Sequence, residues 1–571
     1  MANDHLERLL AAEVDVMDAQ VRVLARILDG NRHAEWFRVH DADGALSQLL
    51  DKAPAADDTI DLRWRYSFID TYRKAVPLAR YDDMAAAVAR MLEGEPGVLT
   101  DERVLAFFQT SGTSATPKFI PVTTSLLREK VAVFASFWEQ VYRDHPSVRD
   151  GVLVSNFIDA GGVSKSPAGV DIGSESGFWN RRGRSLASLS RWPLPAALRY
   201  IGDLDARLYA ICRFLLQGKL HCLMSLNPST LLQFCHTLEH HGEALLAGLE
   251  SGTWGAAPDA ILAALDSADA RLLAQLVPAP DAAGRLAAAI AGGRPFRLRE
   301  LWPELVLGIC WQSPIVRPYL APLAARFDGV PMRDYITQSS ECMMAVPLAD
   351  GGSGGMLACR SHFFEFIAEH DQAQPSPPTH LANALETGAL YEPVVTTGGG
   401  LYRYRMGDAL RVTGFRGSVP VLAFEYRFGR TASMSGEKLT EAQVLTAAER
   451  AIEATGYRPV EFLLCPASGE RPHYALLLEG DVDTAVARAW CDVFHDALGR
   501  ANAEYADKCA SGRLGVPVPW HVASGVLAAA RLERRAAGVS EAQVKGEVLV
   551  GTVDHHLGFA GARPFPGAAR S

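Results

Sequence analysis

Lysine is rare in this 571-residue sequence. Lysine and arginine together number 56, and subtracting the nine lysines leaves 47 arginines. Aspartate and glutamate number 66, the formal net charge is −10, and no run of basic residues stands out. Nucleic acids and anionic membrane surfaces are bound through concentrated positive charge. We therefore expect neither as a partner, and we treat any lysine at a motif position as informative because there are so few.

Long apolar runs are also absent. No stretch reaches the ~18 uninterrupted apolar residues of a membrane-spanning helix, and the N-terminal segment lacks the basic-then-apolar plan of a signal peptide. The nine cysteines are odd in number and contain no C-x-x-C pair, which is typical of reduced, mostly buried thiols. We expect a cytoplasmic, monomeric protein.

The spacing of apolar residues predicts a mixed α/β fold. Two apolar, β-rich runs at 104–109 and 118–122 enclose a Gly/Ser/Thr loop and predict strand, loop and strand, with a helix beginning near Thr124 or Ser125. Farther along the chain, the pattern predicts one long helix over 228–249. A helix near the N-terminus is predicted by apolar residues three or four apart: Leu10, Val14, Met17, Val21, Leu24 and Ile27.

A change in the pattern near residue 430 predicts two domains. Beyond it we expect a helix, two strands, a long helix over 482–506 and a further strand, which together indicate a small α+β domain. The boundary is rich in glycine, serine and threonine, as a hinge would be. The predicted division is an N-terminal domain (1–428), a hinge (429–436), a C-terminal domain (437–560) and a disordered tail (561–571).

The first candidate for chemistry is the loop TSGTSATPK at 110–118. Small hydroxylated residues around a glycine can surround phosphate oxygens with N–H and O–H donors, and Lys118 adds a positive charge. The loop is not a P-loop, because the pattern G-x-x-x-x-G-K is absent. The alternative is a solvated hairpin loop without a ligand.

The second candidate is TQSSE at 337–341, which follows a predicted strand. A carboxylate beside hydroxyl groups could hold Mg²⁺ against phosphates, because this cation prefers oxygen ligands. The alternative is a solvated glutamate at the end of a strand.

The third candidate is GGGLYRYRMGD at 398–408. Asp408 follows a glycine at a predicted strand end, where a carboxylate could accept two hydrogen bonds from a ribose diol. Aromatic and basic residues alternate before it, which would give the strand one aromatic and one basic face (Tyr402, Arg403, Tyr404 and Arg405). The alternative is a strand with a charged outer face.

The last candidates are Arg430, Lys438 and Lys545. A lysine is a compact charge suited to stabilising a phosphoryl transition state, although a surface position explains any single lysine equally well. No lysine lies between Lys219 and Lys438. Two other patterns are weaker: the pair His236 and His240 lacks a third metal ligand, and the serine-hydrolase pattern G-x-S-x-G is missing.

The order of these segments is similar to that in adenylate-forming enzymes, and in detail the sequence resembles the auxin-responsive Gretchen Hagen family of acyl-acid amido synthetases. FFQTSGTSATPKFIPVT resembles its first ATP motif, SSE at 339–341 its second, and GGLYRYRMGDALRVTGF at 399–415 its third. Further segments extend the resemblance over roughly residues 60–550 (LNPSTLLQF, LWPEL, FFEFI and QVK). One departure is Thr337, where the family usually has an aromatic residue.

The resemblance implies a firefly-luciferase-like architecture, with a large N-terminal adenylate-forming domain of β-sheets flanked by helices and a small mobile α+β C-terminal domain. ATP and Mg²⁺ would be the cofactors, Glu341 would bind the metal, and Lys438 and Lys545 would be catalytic. The implied ATP-binding residues are Ser111, Gly112, Thr113, Ser114, Lys118, Ser339, Ser340, Glu341, Tyr404, Asp408 and Arg430. The implied acyl-binding residues are Phe134, Trp138, Phe157, Phe178 and Trp179.

The implied reaction has two steps. A carboxylate attacks the α-phosphorus of MgATP to give an acyl-adenylate and pyrophosphate, and the amine of an amino acid or another amine then displaces AMP to give an amide. Aromatic residues near the first motif suit an aromatic acid, although core packing explains them equally well. Two alternatives stay open: a ligase that transfers the acyl group to the thiol of coenzyme A or a carrier protein, and a non-catalytic nucleotide-binding relative.

Overall fold

The computed structural model describes most of the chain. The described residues are 15–55, 58–110, 118–155, 163–182, 194–268, 270–428, 431–432, 434, 437, 439–468, 472–510, 514–530 and 547–566. The contacts among these residues divide the chain into two units. The first unit contains the described residues up to 424 apart from Gly407–Ala409, and the second contains those three residues and the chain from Glu425 onward.

Capped helices supply much of the first unit. Val16–Asp29 begins at Asp15, whose carboxylate accepts hydrogen bonds from the backbone N–H groups of Met17 at 2.8 Å and Asp18 at 3.2 Å. Its buried face includes Met17, Val21, Leu24 and Ile27, as the spacing predicts; Leu10 and Val14 lie outside the described residues. The other α-helices of this unit are Glu35–His40, Ala45–Leu50, Leu62–Ala75, Tyr81–Leu92, Thr124–Asp144, Pro146–Asp150, Glu175–Arg182, Leu204–Leu216, Pro228–His240, Gly242–Ser251, Asp259–Ala268, Pro280–Gly292, Leu298–Leu301 and Arg317–Arg326.

Three sheets accompany these helices. A mixed sheet has the strand order Lys118–Val122, Ala106–Thr110, Asp171–Gly173, Ser164–Lys165. A parallel sheet has the order Leu153–Ser155, Cys222–Met224, Leu307–Ile309, Met332–Arg333. The third and largest sheet has the order Phe363–Ala368, Leu390–Thr396, Asp408–Arg416, Val419–Arg427, Gly355–Leu357, Met343–Val346, Thr337–Gln338, with Tyr404–Arg405 added beside Leu390–Thr396.

Two large hydrophobic cores lie among the described residues of the first unit. One core joins the N-terminal helices to the mixed sheet and the largest sheet, and includes Phe107, Phe363 and Tyr404. The other surrounds the parallel sheet with the helices between residues 194 and 330. The nine cysteines form no disulfide and eight of them are buried, as expected. Within the described ranges, no helix combines the length and the apolar character needed to cross a membrane.

The single helix predicted over 228–249 is wrong. The structure has two helices, Pro228–His240 and Gly242–Ser251, because the backbone of His241 leaves the helical region (φ −104°, ψ 19°). Gly242 follows at once, and a Cβ atom there would lie 3.4 Å from the Ile290 side chain. The apolar pattern continues on both sides of the break, so periodicity alone could not reveal it.

The second unit has the predicted α+β composition. Its sheet has the order Phe462–Ala467, His473–Glu479, Val518–Val522, Arg563–Pro564, and its helices are Glu441–Thr455, Thr484–Ala501 and Ala503–Ala510. The long helix predicted over 482–506 is interrupted at Asn502, whose side chain accepts a hydrogen bond from the Tyr505 backbone N–H at 2.8 Å and so starts the next helix. Thr431–Ala432 pairs with Leu439–Thr440, so the segment predicted as a hinge contains part of a short antiparallel ribbon.

The prediction of a disordered tail is wrong for residues 561–566. Arg563–Pro564 pairs with Trp520 and His521 as the edge of the second unit's sheet. Phe565 follows, is buried, and donates its backbone N–H to the Pro519 carbonyl at 3.1 Å. The strand pairing and the buried Phe565 together attach this segment to the sheet.

We predict that Phe565→Ala lowers the free energy of unfolding by about 3 kcal/mol, because it removes a buried aromatic side chain. Urea unfolding of the full chain measures the change. Arg563→Ala, two residues earlier, is the control, because that side chain is exposed and its backbone pairing is kept. Equal midpoints for the Phe565 variant and the parent would show that the segment does not contribute to the folded domain.

Candidate functional site

The first motif lies between two paired strands. Ala106–Thr110 runs antiparallel to Lys118–Val122 and parallel to Asp171–Gly173, which confirms the predicted strand pair. The Lys118 ammonium group lies 5.5 Å from the centre of the Tyr81 ring. Four predicted phosphate-binding residues lie in the intervening loop, outside the described residues: Ser111, Gly112, Thr113 and Ser114.

The helix Thr124–Asp144, which we call the first-motif helix, follows directly. It begins at Thr123, whose hydroxyl accepts a hydrogen bond from the Leu126 backbone N–H at 3.1 Å. The same hydroxyl donates to the Gly398 carbonyl at 2.8 Å. A Cβ atom on Gly398 would lie 2.8 Å from Ser125 Cβ and 2.9 Å from Glu129 Oε1, so only glycine fits against this helix. The glycine triplet of the third motif is therefore packed against the helix that follows the first motif.

The second motif forms a tight turn between two paired strands, Thr337–Gln338 and Met343–Val346. The Ser339 hydroxyl accepts hydrogen bonds from the backbone N–H groups of Glu341 at 3.3 Å and Cys342 at 3.4 Å. The Ser339 N–H donates to the Cys342 carbonyl at 2.9 Å. We call residues 339–342 the second-motif turn.

Glu341 is buried in this turn, with 4% of its surface exposed, so the alternative of a solvated glutamate is wrong. Its carboxylate makes no hydrogen bond or ion pair with any residue in the described ranges. A buried carboxylate without a counter-charge is unfavourable by itself, and a hard cation would relieve that cost. Among the described residues, no cluster of three His, Cys, Asp or Glu is arranged to hold a metal. The Glu341 carboxylate is therefore chemically suited to be a ligand of Mg²⁺.

The arginines of the third motif are buried, so the alternative of a charged outer face is wrong. Arg403 donates to both carboxylate oxygens of Glu365, at 2.9 and 3.0 Å, and to the backbone carbonyls of Arg73 and Val76. Arg405 pairs with the buried Glu392 in the same way, with a shortest contact of 2.6 Å. The motif is held by paired charges in the interior of the first unit.

Aromatic residues of the motif add to this packing. Tyr402 donates to the Leu99 carbonyl at 2.8 Å and stacks on Trp36. Tyr404, predicted to contact ATP, is 2% exposed and pairs with Val395 in the neighbouring strand.

Asp408 begins a strand and does not end one, which corrects the prediction from sequence. Gly407 precedes it with φ of 72°, a left-handed conformation that turns the chain into the strand Asp408–Arg416. Arg427 Nε lies 3.6 Å from Asp408 Oδ1, and the Phe428 N–H donates to the Gly407 carbonyl at 2.7 Å. Asp408 therefore lies beside the start of the predicted hinge. Arg430, Lys438 and Lys545 lie outside the described residues.

The predicted acyl-binding residues fall into two aromatic groups, apart from Phe157, which lies outside the described residues. Phe134 and Trp138 lie on the first-motif helix with centroids 6.1 Å apart, and Tyr335, which the sequence reasoning missed, lies 6.5 Å from Phe134. Phe178 packs at 5.2 Å against Phe108, beside Trp179. Trp138 and Phe178 are buried, whereas Phe134 and Trp179 keep part of their surface exposed.

Two further site residues were missed from sequence, Lys130 and Glu175, which form a buried ion pair at 2.8 Å. A signal for Lys130 existed: it shares a helix face with apolar residues four before and seven after it, in a chain with only nine lysines.

Three family models match the chain in order. The GH3 family N-terminal domain matches residues 5–332, the GH3 family central domain 355–427, and the GH3 family C-terminal domain 442–553. The chain belongs to the GH3 family. This confirms the resemblance to the Gretchen Hagen family that the motifs indicated.

Curated GH3 relatives are similar over most of their length. Indole-3-acetic acid-amido synthetase GH3.15 of Arabidopsis thaliana is 27% identical over 463 residues, covering 76% of this chain and 72% of the relative. Indole-3-acetic acid-amido synthetase GH3.8 of Oryza sativa subsp. indica is 26% identical over 450 residues, covering 76% and 70%.

A solved GH3 structure shares the fold. The structure named AtGH3.15 acyl acid amido synthetase in complex with 2,4-DB superposes with a TM-score of 0.78 at 22% identity and covers 96% of this chain and 94% of the other. The predicted mixed α/β fold is thereby confirmed.

We predict that Glu365, which pairs with Arg403 in the GH3 third motif, gives the protein acid-dependent stability. Burial tends to raise the pKa of its carboxyl group, but Arg403, Arg73 and Thr379 outweigh burial and hold the pKa below its ordinary value of 4.5. A carboxyl pKa lowered by folding contributes stability above the unfolded-state pKa, and that contribution is lost as the pH falls through the folded-state pKa. Glu365→Gln should therefore lower the free energy of unfolding by about 3 kcal/mol at neutral pH and flatten its decrease in acid.

Urea unfolding across this pH range measures both effects. Glu453→Gln is the matched control, because Glu453 pairs with Arg450 on the exposed surface. An unchanged acid profile in the Glu365 variant would contradict the prediction.

Proposed function

We propose that the protein is an ATP-dependent acyl acid amido synthetase. It activates a carboxylic acid as an acyl-adenylate with release of pyrophosphate, and then forms an amide with the amine of an amino acid while AMP leaves. The observation that carries this proposal is the ordered match to three GH3 domains, because the relatives that cover three quarters of the chain are named as amido synthetases.

The first step requires charge on the phosphates to be neutralised. Glu341 would supply a carboxylate oxygen for Mg²⁺, which would offset phosphate charge and polarise the phosphoryl group. Asp408 accepts hydrogen bonds from the ribose hydroxyls. The phosphates are bound by donors of the first motif, namely Ser111, Gly112, Thr113, Ser114 and Lys118. The remaining nucleotide contacts come from Ser339, Ser340, Tyr404 and Arg430.

The second step requires a different arrangement of the C-terminal domain. Lys545 and Lys438 stabilise the phosphoryl transition state during adenylation. Rotation about the hinge at 429–436 withdraws these lysines and admits the amine, as a lid does when it opens. The acyl-adenylate is reactive enough that no covalent enzyme nucleophile is needed.

An aromatic acid is the proposed acyl substrate. Phe134 and Trp179 keep exposed surface beside buried aromatic residues, and flat rings pack well against such groups. Relatives are named for indole-3-acetic acid, which is also aromatic. A cytoplasmic location and a monomeric state remain part of the proposal.

The purified protein should exchange pyrophosphate into ATP only when a suitable acid is present, and should yield an amide once an amino acid is added. A panel of aryl, indolyl and fatty acids, followed by amine screening and mass analysis, measures this. Lys545→Ala should reduce the exchange about 100-fold or more, because it removes a charge that acts on the transition state, while circular dichroism stays unchanged.

Two outcomes would contradict the proposal. A product cleaved by hydroxylamine with the mass of a thioester would identify a thioester ligase. Calorimetric binding of ATP without exchange for any acid would identify a non-catalytic nucleotide-binding protein.

We predict that Glu341→Gln raises the Mg²⁺ concentration for half-maximal exchange at least about tenfold, because it removes a charged ligand of the metal. Titration of Mg²⁺ at fixed ATP measures the effect. Glu386→Gln, an exposed glutamate in the same unit, serves as the control. An unchanged Mg²⁺ requirement in the Glu341 variant would exclude this residue as the metal ligand.

A further inference from the structure

Lys130 is fully buried, with 0% of its side chain exposed. Its ammonium group donates to Glu175 Oε1 at 2.8 Å and to the Ser339 backbone carbonyl at 2.8 Å. The same group lies 5.8 Å from the centre of the Phe108 ring. Lys130 and its three neighbours all belong to the first unit. The buried ammonium group therefore connects its own helix to three other segments of that unit.

A lysine is energetically unfavourable at this buried position. Leu126, Val133 and Phe137 share its helix face and are buried, so the pattern favours an apolar residue there. A buried ammonium group loses its hydration, and often an apolar replacement is no less stable than a buried ion pair. Packing in the core therefore does not explain why a lysine occupies this position. The two hydrogen bonds of Lys130 indicate its role.

One of these bonds orients the second-motif turn. The Ser339 carbonyl belongs to the peptide that links Ser339 to Ser340, and Lys130 fixes the direction of that peptide. Two residues later, the carboxylate of Glu341 has no partner in the described part of the chain. The position of that carboxylate therefore depends on the backbone of the turn, and so on Lys130.

The other bond holds the helix Glu175–Arg182. Glu175 accepts a hydrogen bond from Lys130 and a second one, at 3.1 Å, from Trp179 Nε1. Phe178 on the same helix packs against Phe108, which lies in the strand that leads into the first motif. Lys130 therefore determines where the aromatic residues of this helix lie relative to the second-motif turn.

We propose that Lys130 is a positioning residue for adenylation, which holds the turn bearing Glu341 and the helix bearing Phe178 and Trp179 in one fixed geometry. The carboxylate of the acid and the α-phosphate of ATP then meet without rearrangement of either segment. This inference rests on the proposed function, because it assigns the two segments to the nucleotide and to the acid.

The test uses Lys130→Met, Glu175→Gln and the double variant, all in the full chain. Lys130→Met should lower kcat/KM for pyrophosphate exchange about 10- to 100-fold, the usual effect of losing a residue that orients a ligand, and should weaken calorimetric binding of MgATP. Glu175→Gln keeps the Ser339 contact, so it should raise KM for the acid and leave MgATP binding unchanged. The double variant removes both buried charges and should restore the thermal midpoint without restoring MgATP binding.

The double variant separates a positioning role from charge balance. If it recovers both the affinity for MgATP and the exchange rate, Lys130 only neutralises Glu175 and the proposal is wrong. If Lys130→Met does not fold, the double variant still distinguishes a positioning role from neutralisation of Glu175. Lys219→Met, which removes a surface lysine paired with Glu304, is the control and should change nothing. Calorimetric binding of MgATP needs no acid substrate, so it tests the role of Lys130 even if no acid supports exchange. A failure of the proposed function can therefore be distinguished from a failure of this inference.

Discussion

The pairing of buried charge organises the first unit around the first-motif helix. Two consecutive residues of that helix, Glu129 and Lys130, are buried and point to different segments. Glu129 Oε2 lies 3.0 Å from His362 Nδ1 and accepts the Gly398 N–H at 3.2 Å. Lys130 binds the second-motif turn. Because a buried charge is stable only with its partners in place, the helix fixes the second and third motifs at the same time.

Many residues of the third motif make contacts that stabilise the fold. Its arginines neutralise Glu365 and Glu392 inside the largest sheet, and its glycines allow the chain to approach the first-motif helix. Of the motif residues with a proposed contact to the nucleotide, Tyr404 belongs to the first unit and Asp408 to the second. The motif has a distinctive sequence because many of its residues form buried ion pairs or pack too closely for another side chain. These constraints add to any contact with a ligand.

Elements that a local signal marks are predictable from the sequence. The strands on both sides of the first motif, and the Thr124–Asp144 helix, follow from apolar runs and a threonine cap. The break at His241, the interruption at Asn502 and the attachment of Phe565 were not predicted. Gly242 and the Asn502 cap mark the two helix breaks locally, although the apolar pattern continues across them. The attachment of Phe565 depends on the distant Pro519.

The sequence by itself determined the family, the order of the motifs and the α/β character, because these depend on residue identity and short-range spacing. Only the tertiary structure decided which charges are buried and which partners they have. Arg403 and Arg405 look in sequence like surface cations, and the apolar helix face around Lys130 does not reveal its partner. In the structure each of the three is buried against a specific carboxylate. Glu341 is buried as well, without such a partner. Ion pairing across distant segments is a property of the folded chain, and no local pattern records it.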